Sequence, residues 1–585
     1  MASDLIIGMA GSGGDGVISA GESLITALAI DGYHAMMTKS YGPQIRGGES
    51  SFRIRLSTKP VLNRGGGLDI AIALNWEDFL KFGSELQVAD NCVIIYDSAS
   101  DIKPENIPLK GINPSQVISA PIGKISNDIS GTSREKNIVV LGLIAGWFGI
   151  GRESILAGIR KRFSKKSNEI LSNNEKAFVE GMKFAKENPL KDKSKEIETF
   201  QNKNSKMITD GNEICAAASI FAGCQFFGGY PITPSSEIMH FHSREIWRYG
   251  GTMIQCEDEI ASIGSAIGAS FAGKKAMTAT SGPGMALKSE FMGLATMTEL
   301  PLVIVNVQRV GPSTGIPTKS EQSDLFQAAF SAAGDSVRPI LAPLNVEDMF
   351  GVTVEAFNIA EKYQTPVIIL SDQELSQRKE TFNPIDTSKF IIENRKLPTT
   401  DDLVDYKRYK MTDDFISPIS YPGLEGGNYL ASGLEHNELG SPASKGEIHT
   451  KLNEKRTLKL NPLKDRKDLF LIRGDIDAKI GIISWGTVAG VAIEAQEILE
   501  KHNIKTKLII PKLIYPISEK IFSEFFEGIE QGLVIEQNYL GQFYHILRMY
   551  VDIPKGIKQL CKSGSNPIVT GEIVDLIQNM NDNKG

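Results

Sequence analysis

This sequence of 585 residues lacks long apolar runs, paired cysteine motifs and a strong excess of one charge. No run approaches the roughly 18–20 apolar residues that a membrane-spanning helix requires, so we expect no membrane segment. The net charge of -7 argues against a nucleic-acid partner. The N-terminus enters a strand-like stretch, Leu5-Ile6-Ile7, without the basic and apolar regions of a secretion signal. These observations predict a cytoplasmic protein.

Metal-ligand patterns are also missing. The cysteines are Cys92, Cys215, Cys224, Cys256 and Cys561. None belongs to a C-x-x-C pair, which argues against a zinc ribbon or a cysteine-ligated iron–sulfur cluster within the chain. The closest histidines, His240 and His242, do not have ligand spacing either. We therefore predict buried, reduced thiols and no metal site in this chain.

Hydrophobic patterning divides the chain into three folded blocks, predicted at residues 1–182, 207–388 and 468–578. Short apolar runs alternate with helical patterns in each block, which predicts the α/β class, with a parallel sheet in the first block. Residues 183–206 are rich in Lys, Glu, Asn and Ser and are predicted to form a solvated linker. Residues 389–467 are polar and contain Pro and Gly, so we expect an extended arm across a partner or another domain.

A glycine-rich loop, Gly11-Ser-Gly-Gly-Asp-Gly16, follows the first predicted strand and precedes a helix. Such a loop can direct backbone N–H groups at an anion. A dinucleotide site would also need an acidic residue at the end of the next strand, and the strand around 33–40 has none. Gly14-Asp-Gly16 resembles the start of the diphosphate–magnesium motif of thiamine enzymes, but the asparagine that should close it is missing, because Asn63 lies too far along. Any thiamine diphosphate would need another polypeptide to hold its diphosphate, and the role of this loop stays open.

Four segments of the second block place hydroxyl, carboxyl and guanidinium groups after predicted strands, where parallel sheets build ligand sites. They are Gly229-Tyr-Pro-Ile-Thr-Pro-Ser-Ser236, the helix 256–273 with its acidic start, Thr278-Ala-Thr-Ser-Gly-Pro-Gly284, and 307–318 with Arg309 at its beginning. The two prolines of the first segment stiffen its backbone. The acids of the second segment could instead complement the helix dipole.

Together, in this order and spacing, the four segments resemble the α subunit of 2-oxoacid:ferredoxin oxidoreductases. The resemblance extends across nearly the whole chain. It implies three α/β domains: a γ-type Rossmann-like domain fused at the N-terminus, a pyrimidine-binding thiamine diphosphate domain, and a transketolase C-terminal-like domain. The last is indicated by Ile483-Ser-Trp-Gly-Thr487 and Glu536-Gln-Asn-Tyr-Leu-Gly-Gln542.

The resemblance also implies functional residues. Glu259 matches the family's cofactor-activating glutamate, which hydrogen-bonds to the pyrimidine ring, whereas Glu257 and Asp258 are out of register. The implied substrate-binding residues are Thr233, Arg309, Ser313 and Thr314, and Arg309 would hold the substrate carboxylate through its guanidinium fork. The implied cofactor-binding residues are Tyr230, Pro231, Ile232, Glu259, Ser281 and Gly282.

The implied activity is the reversible, coenzyme A-dependent oxidative decarboxylation of a 2-oxoacid, with electrons passed to ferredoxin. A β subunit would carry the diphosphate and Mg²⁺ site and the [4Fe–4S] cluster, in an α2β2 heterotetramer. The fused γ domain and Gly311-Pro-Ser-Thr-Gly315 look most like the 2-oxoglutarate type, which would form succinyl-CoA and CO2. Lys319 or arginines of the partner could meet a distal carboxylate.

Other interpretations remain open. The same chemistry could act on pyruvate, on branched-chain 2-oxoacids or on a broad range of them. A non-oxidative thiamine enzyme is disfavoured by the missing Gly-Asp-Gly…Asn motif. A non-catalytic paralogue that serves as an assembly scaffold would have no use for Thr233, Glu259 and Arg309. The direction of the reaction, the electron acceptor and the number of clusters in the partner are not indicated by the sequence.

Overall fold

The computed structural model describes residues 2–42, 48–198, 204–564 and 567–582. The chain divides into two compact units, one formed by Met1–Thr209 with Gln377–Ile385 and the other by Asp210–Ser376 with Asp386–Gly585. Within the described ranges, no helix is long and apolar enough to cross a membrane. Each unit is an α/β structure, which agrees with the predicted fold class.

The elements alternate along the chain as the hydrophobic pattern indicated. The strands are β1 Asp4–Gly11, β2 His34–Tyr41, β3 Ser50–Ser57, β4 Leu68–Ala73, β5 Val88–Asp97, β6 Gln116–Ala120, β7 Met207–Asp210, β8 Phe226–Gly229, β9 Thr252–Gln255, β10 Ala276–Thr280, β11 Leu302–Gln308, β12 Ile340–Leu341, β13 Pro366–Asp372, β14 Lys379–Phe382, β15 Phe470–Gly474, β16 Ile480–Ser484, β17 Lys507–Pro511, β18 Leu513–Tyr515, β19 Gln531–Glu536 and β20 Gly556–Cys561. The helices are α1 Val17–Ile30, α2 Trp76–Lys81, α3 Ile122–Ser130, α4 Lys136–Phe148, α5 Arg152–Phe163, α6 Asn168–Glu187, α7 Gly211–Phe221, α8 Ser236–Glu245, α9 Glu259–Phe271, α10 Gly282–Leu287, α11 Ser289–Met297, α12 Leu325–Phe330, α13 Val346–Tyr363, α14 Gln373–Gln377, α15 Gly446–Leu458, α16 Asn461–Lys464, α17 Ala489–Lys501, α18 Glu519–Phe526, α19 Gln542–Tyr550 and α20 Thr570–Asp582.

The first unit is built on an eight-stranded sheet with the order β6-β5-β4-β1-β3-β2-β14-β7. Strands β1, β4, β5 and β6 are parallel, but β3 is antiparallel to both β1 and β2, and β14 is antiparallel to β2. The predicted parallel sheet is therefore wrong for this half of the unit. The connection between β2 and β3 is too short for the crossover that a parallel pair needs, so the chain turns back on itself.

Helix α6 runs to Glu187, and the chain beyond it still contacts the first unit. Leu190 and Ile197 are buried, and Ile197 forms an isolated bridge with Ala2. Lys195 lies in an ion pair with Asp69 of β4. The described part of the predicted linker is therefore anchored on this unit up to residue 198.

The second unit contains a seven-stranded sheet, β18-β12-β13-β11-β10-β8-β9, and a five-stranded sheet, β15-β17-β16-β19-β20. The pairs from β9 to β12 are all parallel, whereas β18 joins β12 antiparallel. Because β18 comes from the C-terminal block, that block contributes an edge strand to the central sheet. No local pattern in the sequence predicts this shared sheet.

The long polar stretch after β14 has little regular structure before α15, yet several of its side chains are buried. The Arg395 guanidinium donates to both Glu361 carboxylate oxygens at 2.6 and 2.8 Å and to the backbone carbonyl of Ser270 at 2.7 Å. Arg408 and Tyr409 are fully buried. The stretch therefore packs on the second unit itself through polar anchors.

The five cysteines are free thiols, and Cys92, Cys215 and Cys224 are buried as predicted. Cys256 and Cys561 are only partly buried, so the prediction is wrong for these two. Both lie at sheet edges, since Cys256 follows β9 and Cys561 ends β20. An edge strand is covered by a neighbour on one side only.

Candidate active site

Four neighbouring parallel strands, β11-β10-β8-β9, bring the predicted segments to one edge of the central sheet. The chain adds β9 on one side of β8 and then returns to place β10 on the other side. Ligands in open α/β sheets bind at such a switch point, beyond the carboxyl ends of the strands. The loops after β8, β9, β10 and β11 carry Thr233, Glu259, Ser281 and Arg309 respectively.

The loop after β8 is held on its buried side by hydrogen bonds to its backbone. The Asn212 side-chain amide donates to the Pro234 carbonyl at 2.7 Å, and the Ser235 hydroxyl donates to the Ile232 carbonyl at 3.0 Å. Tyr230, Pro231 and Thr233 are exposed on the outer side of this loop, and Ile232 is half-buried. These four residues are therefore presented by a fixed backbone.

The three acidic residues at positions 257–259, at the start of α9, differ in their exposure to solvent. Glu257 and Asp258 are exposed, whereas Glu259, the first residue of the helix, is only 7% exposed. The Asp258 carboxylate caps the helix by accepting from the Ala261 amide at 2.7 Å. Glu259 is thus the one carboxyl of the three that is withdrawn from water.

The Glu259 side chain lies against the start of α10. A Cβ built on Gly284 would lie 2.8 Å from the Glu259 Oε1 and would overlap the Thr280 hydroxyl. Glycine at 284 therefore permits this close approach. Ser281, directly before α10, is fully buried.

A buried ammonium lies behind Glu259. Lys288 is fully buried and donates to the Glu259 backbone carbonyl at 2.9 Å, to the Thr278 hydroxyl at 3.2 Å and to the Ser262 hydroxyl. Burial lowers the pKa of Lys288 to about 8, although the charge of Glu259 opposes this shift. Sequence reasoning missed Lys288, because a single lysine in an amphipathic stretch is usually solvated.

Arg309 directly follows β11 and is 6% exposed. Its Nη1 donates to the Thr233 carbonyl at 2.6 Å, so the structure brings two predicted substrate-binding residues together. Its Nε is buried and has no hydrogen-bond partner among the described residues. Burial lowers the pKa of Arg309, and the nearby Asp324 carboxyl opposes the shift. A guanidinium with a free N–H is suited to donate a hydrogen bond to a bound carboxylate.

Ser313 and Thr314 lie on the exposed tip of the loop after Arg309. A bridge between Val310 and Ile316 closes this loop at its base. Gly315 has φ 47°, and a Cβ there would overlap the Val310 carbonyl oxygen. The tip is thus a tight turn that projects two hydroxyl groups into solvent.

Several buried polar atoms at this edge of the central sheet lack a hydrogen-bond partner within the described part of the chain. Buried side-chain atoms without a hydrogen-bond partner in the described structure include Thr280 Oγ1, Ser281 Oγ, Asn306 Oδ1 and Arg309 Nε. Buried polar groups in folded proteins are normally paired. A polar ligand seated on the start of α10 could supply these partners, and thiamine diphosphate, with its aminopyrimidine ring, offers that chemistry.

Asp324, which the sequence analysis did not single out, also lies here. The Asn306 amide donates to its Oδ2 at 3.0 Å, and its carboxyl oxygens lie 3.6 and 3.9 Å from the position of a Cβ on Gly282. Burial raises the pKa of Asp324 to about 6. A lone acid in the polar segment 319–324 has no pattern that distinguishes it from a solvated one.

Comparisons with known proteins agree with this geometry. Residues 217–455 match the family described as "Pyruvate flavodoxin/ferredoxin oxidoreductase, thiamine diP-bdg", and residues 6–184 match "Pyruvate ferredoxin/flavodoxin oxidoreductase". A 2-oxoacid:ferredoxin oxidoreductase subunit alpha from Sulfolobus sp is 30% identical over 92% of this chain and 91% of its own. A 2-oxoglutarate synthase subunit KorA from Methanothermobacter marburgensis is 38% identical over 63% of this chain and 98% of its own.

A solved structure is similar over almost the full length. The 2-oxoglutarate:ferredoxin oxidoreductase from Magnetococcus marinus, solved with 2-oxoglutarate, coenzyme A and succinyl-CoA bound, is 35% identical, with a TM-score of 0.93 over 99% of this chain and 100% of that chain. Fold and site thus define an oxidoreductase with a thiamine diphosphate-binding domain. The chain belongs to the 2-oxoacid:ferredoxin oxidoreductases, as a large α subunit with a γ-type domain at its N-terminus. The predicted family and fold class are confirmed.

Proposed function

We propose that this chain binds the pyrimidine half of thiamine diphosphate and the 2-oxoacid in a coenzyme A-dependent 2-oxoglutarate:ferredoxin oxidoreductase. The observation that carries the proposal is the buried Glu259 carboxyl at the sheet edge that also holds Arg309 and the Thr233 loop. This carboxyl is shielded from water, and it lies within residues 217–455, which match the thiamine diphosphate-binding family model.

The residues at this edge suit a cofactor ring. Tyr230, Pro231 and Ile232 would form one wall, and Ser281 with Gly282 at the start of α10 would form the floor. When bound, thiamine diphosphate supplies a nucleophilic carbon and an electron sink for decarboxylation. The Glu259 carboxyl would form a hydrogen bond with a ring nitrogen and so orient the ring.

The substrate carboxylate would bind Arg309, whose Nη1 is fixed by Thr233 and whose Nε is free to donate. Thr233, Ser313 and Thr314 present hydroxyl groups on the exposed side. The choice of 2-oxoglutarate is supported by the KorA relatives and by the Magnetococcus marinus enzyme, which binds 2-oxoglutarate and coenzyme A. Lys319 or a cation of the partner would meet the distal carboxylate. Pyruvate and branched-chain 2-oxoacids are the competing substrates.

The remaining parts would come from a second polypeptide. The sequence has no Gly-Asp-Gly…Asn motif and no paired cysteines. We therefore assign the diphosphate and Mg²⁺ site and the [4Fe–4S] cluster to a β subunit, in an α2β2 assembly in the cytoplasm that passes electrons to ferredoxin.

The test is coupled activity of the chain co-expressed with its β subunit. Coenzyme A-dependent reduction of a viologen dye is followed with 2-oxoglutarate, pyruvate and 2-oxoisovalerate. We expect 2-oxoglutarate to be the best substrate. Glu259→Ala should abolish turnover, whereas Glu257→Ala, on the exposed neighbouring acid, should not.

Two results would contradict the proposal. If a complex that contains cofactor and cluster reduced the dye with none of these acids, the oxidoreductase function would be wrong for this chain. If pyruvate or 2-oxoisovalerate were preferred, only the substrate would be wrong.

A further inference from the structure

We propose that Asp324 is a positioning residue that balances the charge of Arg309 when it is ionised and so couples 2-oxoacid binding to the uptake of a proton. The inference rests on the proposed function, because it takes Arg309 as the ligand of the substrate carboxylate.

Asp324 is held by β11, the strand that ends directly before Arg309. Its carboxyl accepts from the Asn306 amide at 3.0 Å, and its backbone N–H donates to the Gln308 side-chain oxygen at 3.0 Å. Its carboxyl oxygens face Gly282, the first residue of α10, where a Cβ would be in ordinary contact. Asp324 thus lies close to the proposed cofactor floor and is bonded to Gln308, the residue directly before the substrate arginine.

The C-terminal block fixes the segment around Asp324 from the other side. The Gln542 side chain donates to the Ser323 carbonyl at 2.7 Å and accepts from the Phe326 amide at 2.9 Å. The Gln322 backbone N–H donates to the Gln537 carbonyl at 2.8 Å, and the Gln537 backbone N–H donates to the Gln322 side-chain oxygen at 3.0 Å. The Asn538 side-chain amide donates to the Gln322 carbonyl at 3.1 Å. These bonds flank Asp324 directly in sequence and hold its backbone in place, and the residue itself is half-buried.

Glu321 and Arg309 are charged groups that act on Asp324. Burial is the main cause that raises its pKa to about 6, the charge of Glu321 raises it further, and the Asn306 hydrogen bond and the charge of Arg309 lower it. Asp372, on the packed strand β13, accepts from the hydroxyls of Ser320 and Thr487 and from the Leu375 amide. Helix α19 contributes the neutral Gln542 and α10 contributes Gly282.

The charge of Asp324 and the affinity for the 2-oxoacid are coupled through Arg309. When Asp324 is ionised, it neutralises Arg309 and repels an incoming carboxylate. When Asp324 is protonated, Arg309 acts as a full cation. A bound 2-oxoacid therefore favours the protonated form of Asp324, so affinity is highest below pH 6 and falls as the pH rises through 6. The carboxyl groups of 2-oxoglutarate stay ionised over this range and do not contribute.

The experiment compares wild type, Asp324→Asn and Asp335→Asn in the complete complex with its β subunit. Asparagine keeps the shape and can keep the Asn306 contact but cannot ionise, and Asp335 is an exposed acid that controls for loss of one charge. KM and kcat for 2-oxoglutarate are measured from pH 6 to pH 8.5. In parallel, the rise in melting temperature caused by 2-oxoglutarate is measured at pH 6 and pH 8 in the complex without thiamine diphosphate.

We expect the wild-type KM to rise with pH, and the Asp324→Asn KM to be flat and about three- to tenfold below wild type at pH 8, the size expected for one nearby partly screened charge. The thermal shift should weaken from pH 6 to pH 8 in wild type and in Asp335→Asn only. A KM that rises with pH in Asp324→Asn as in wild type, or that is raised by the variant at every pH, would overturn the inference. Turnover of no 2-oxoacid by the wild type would instead overturn the proposed function.

Discussion

The Lys288 ammonium donates a hydrogen bond to the backbone carbonyl of Glu259 at 2.9 Å, from a position with no exposure to solvent. The lysine therefore holds the first turn of α9 in place from behind, while the Glu259 side chain points toward α10.

Lys288→Met should therefore lower kcat for the 2-oxoacid, because the carbonyl of Glu259 and the hydroxyls of Ser262 and Thr278 lose a shared donor. We expect a loss of roughly tenfold or more, with KM changed less.

The free energy of unfolding supplies a second readout for the same variant. The pKa of Lys288 is lowered to about 8, so the wild-type protein binds fewer protons when folded than when unfolded between pH 8 and 10.5.

Stability contributed by Lys288 should consequently rise with pH across that window, by on the order of 2 kcal/mol. Chemical denaturation of wild type and Lys288→Met at pH 7.5 and pH 9.5 measures the difference. If the free energies of unfolding of the two proteins differed by the same amount at both pH values, the pKa of Lys288 would not be lowered in the folded protein.

Glu299→Gln is expected to destabilise the second unit strongly. The Glu299 carboxylate accepts from Lys455 at 2.6 and 2.7 Å and from Lys459 at 2.8 Å, and all three side chains are buried. Removal of the negative charge leaves two buried ammonium groups without a counter-charge, which costs about 3–5 kcal/mol. The melting temperature measures this loss. Glu447→Gln, on an exposed acid of α15, is the matched control and should melt like wild type.

Gly315→Ala should raise KM for the 2-oxoacid several-fold with little change in melting temperature. Its backbone has φ 47°, and a methyl group would overlap the Val310 carbonyl, so the exposed tip with Ser313 and Thr314 must rearrange. Gly311→Ala, in the same loop but with open space around its Cβ position, should alter KM less. A Gly315→Ala enzyme with unchanged KM would remove Ser313 and Thr314 from the proposed substrate site.

Much of the site could be predicted because its parts are local motifs. The spacing of Thr233, Glu259 and Arg309 along the sequence places each of them after a separate strand, and parallel strands bring such ends together. Burial then distinguishes Glu259 from Glu257 and Asp258, as the register of the motif implied. The assignment of roles to these residues stays a prediction until the variants are measured.

The parts that were missed depend on pairings between distant residues. Nothing local indicates that β18 will pair with β12, or that β3 will turn back beside β1. Asp324 and Lys288 are single charged residues in polar or amphipathic stretches, and only the folded chain shows that Gln542, Asn306 and Thr278 surround them. Strand order and the burial of isolated charges are properties of the whole chain rather than of a window of residues.

Strand β14 has a consequence for biosynthesis. The eight-stranded sheet places β14 between β2 and β7, so the N-terminal unit needs Lys379–Phe382 to complete it. While the ribosome is still making the intervening stretch, β2 presents an open edge and β7 lacks its neighbour. Nascent chains of intermediate length should therefore be prone to aggregation and dependent on chaperones, and a fragment cut after residue 209 should behave in the same way.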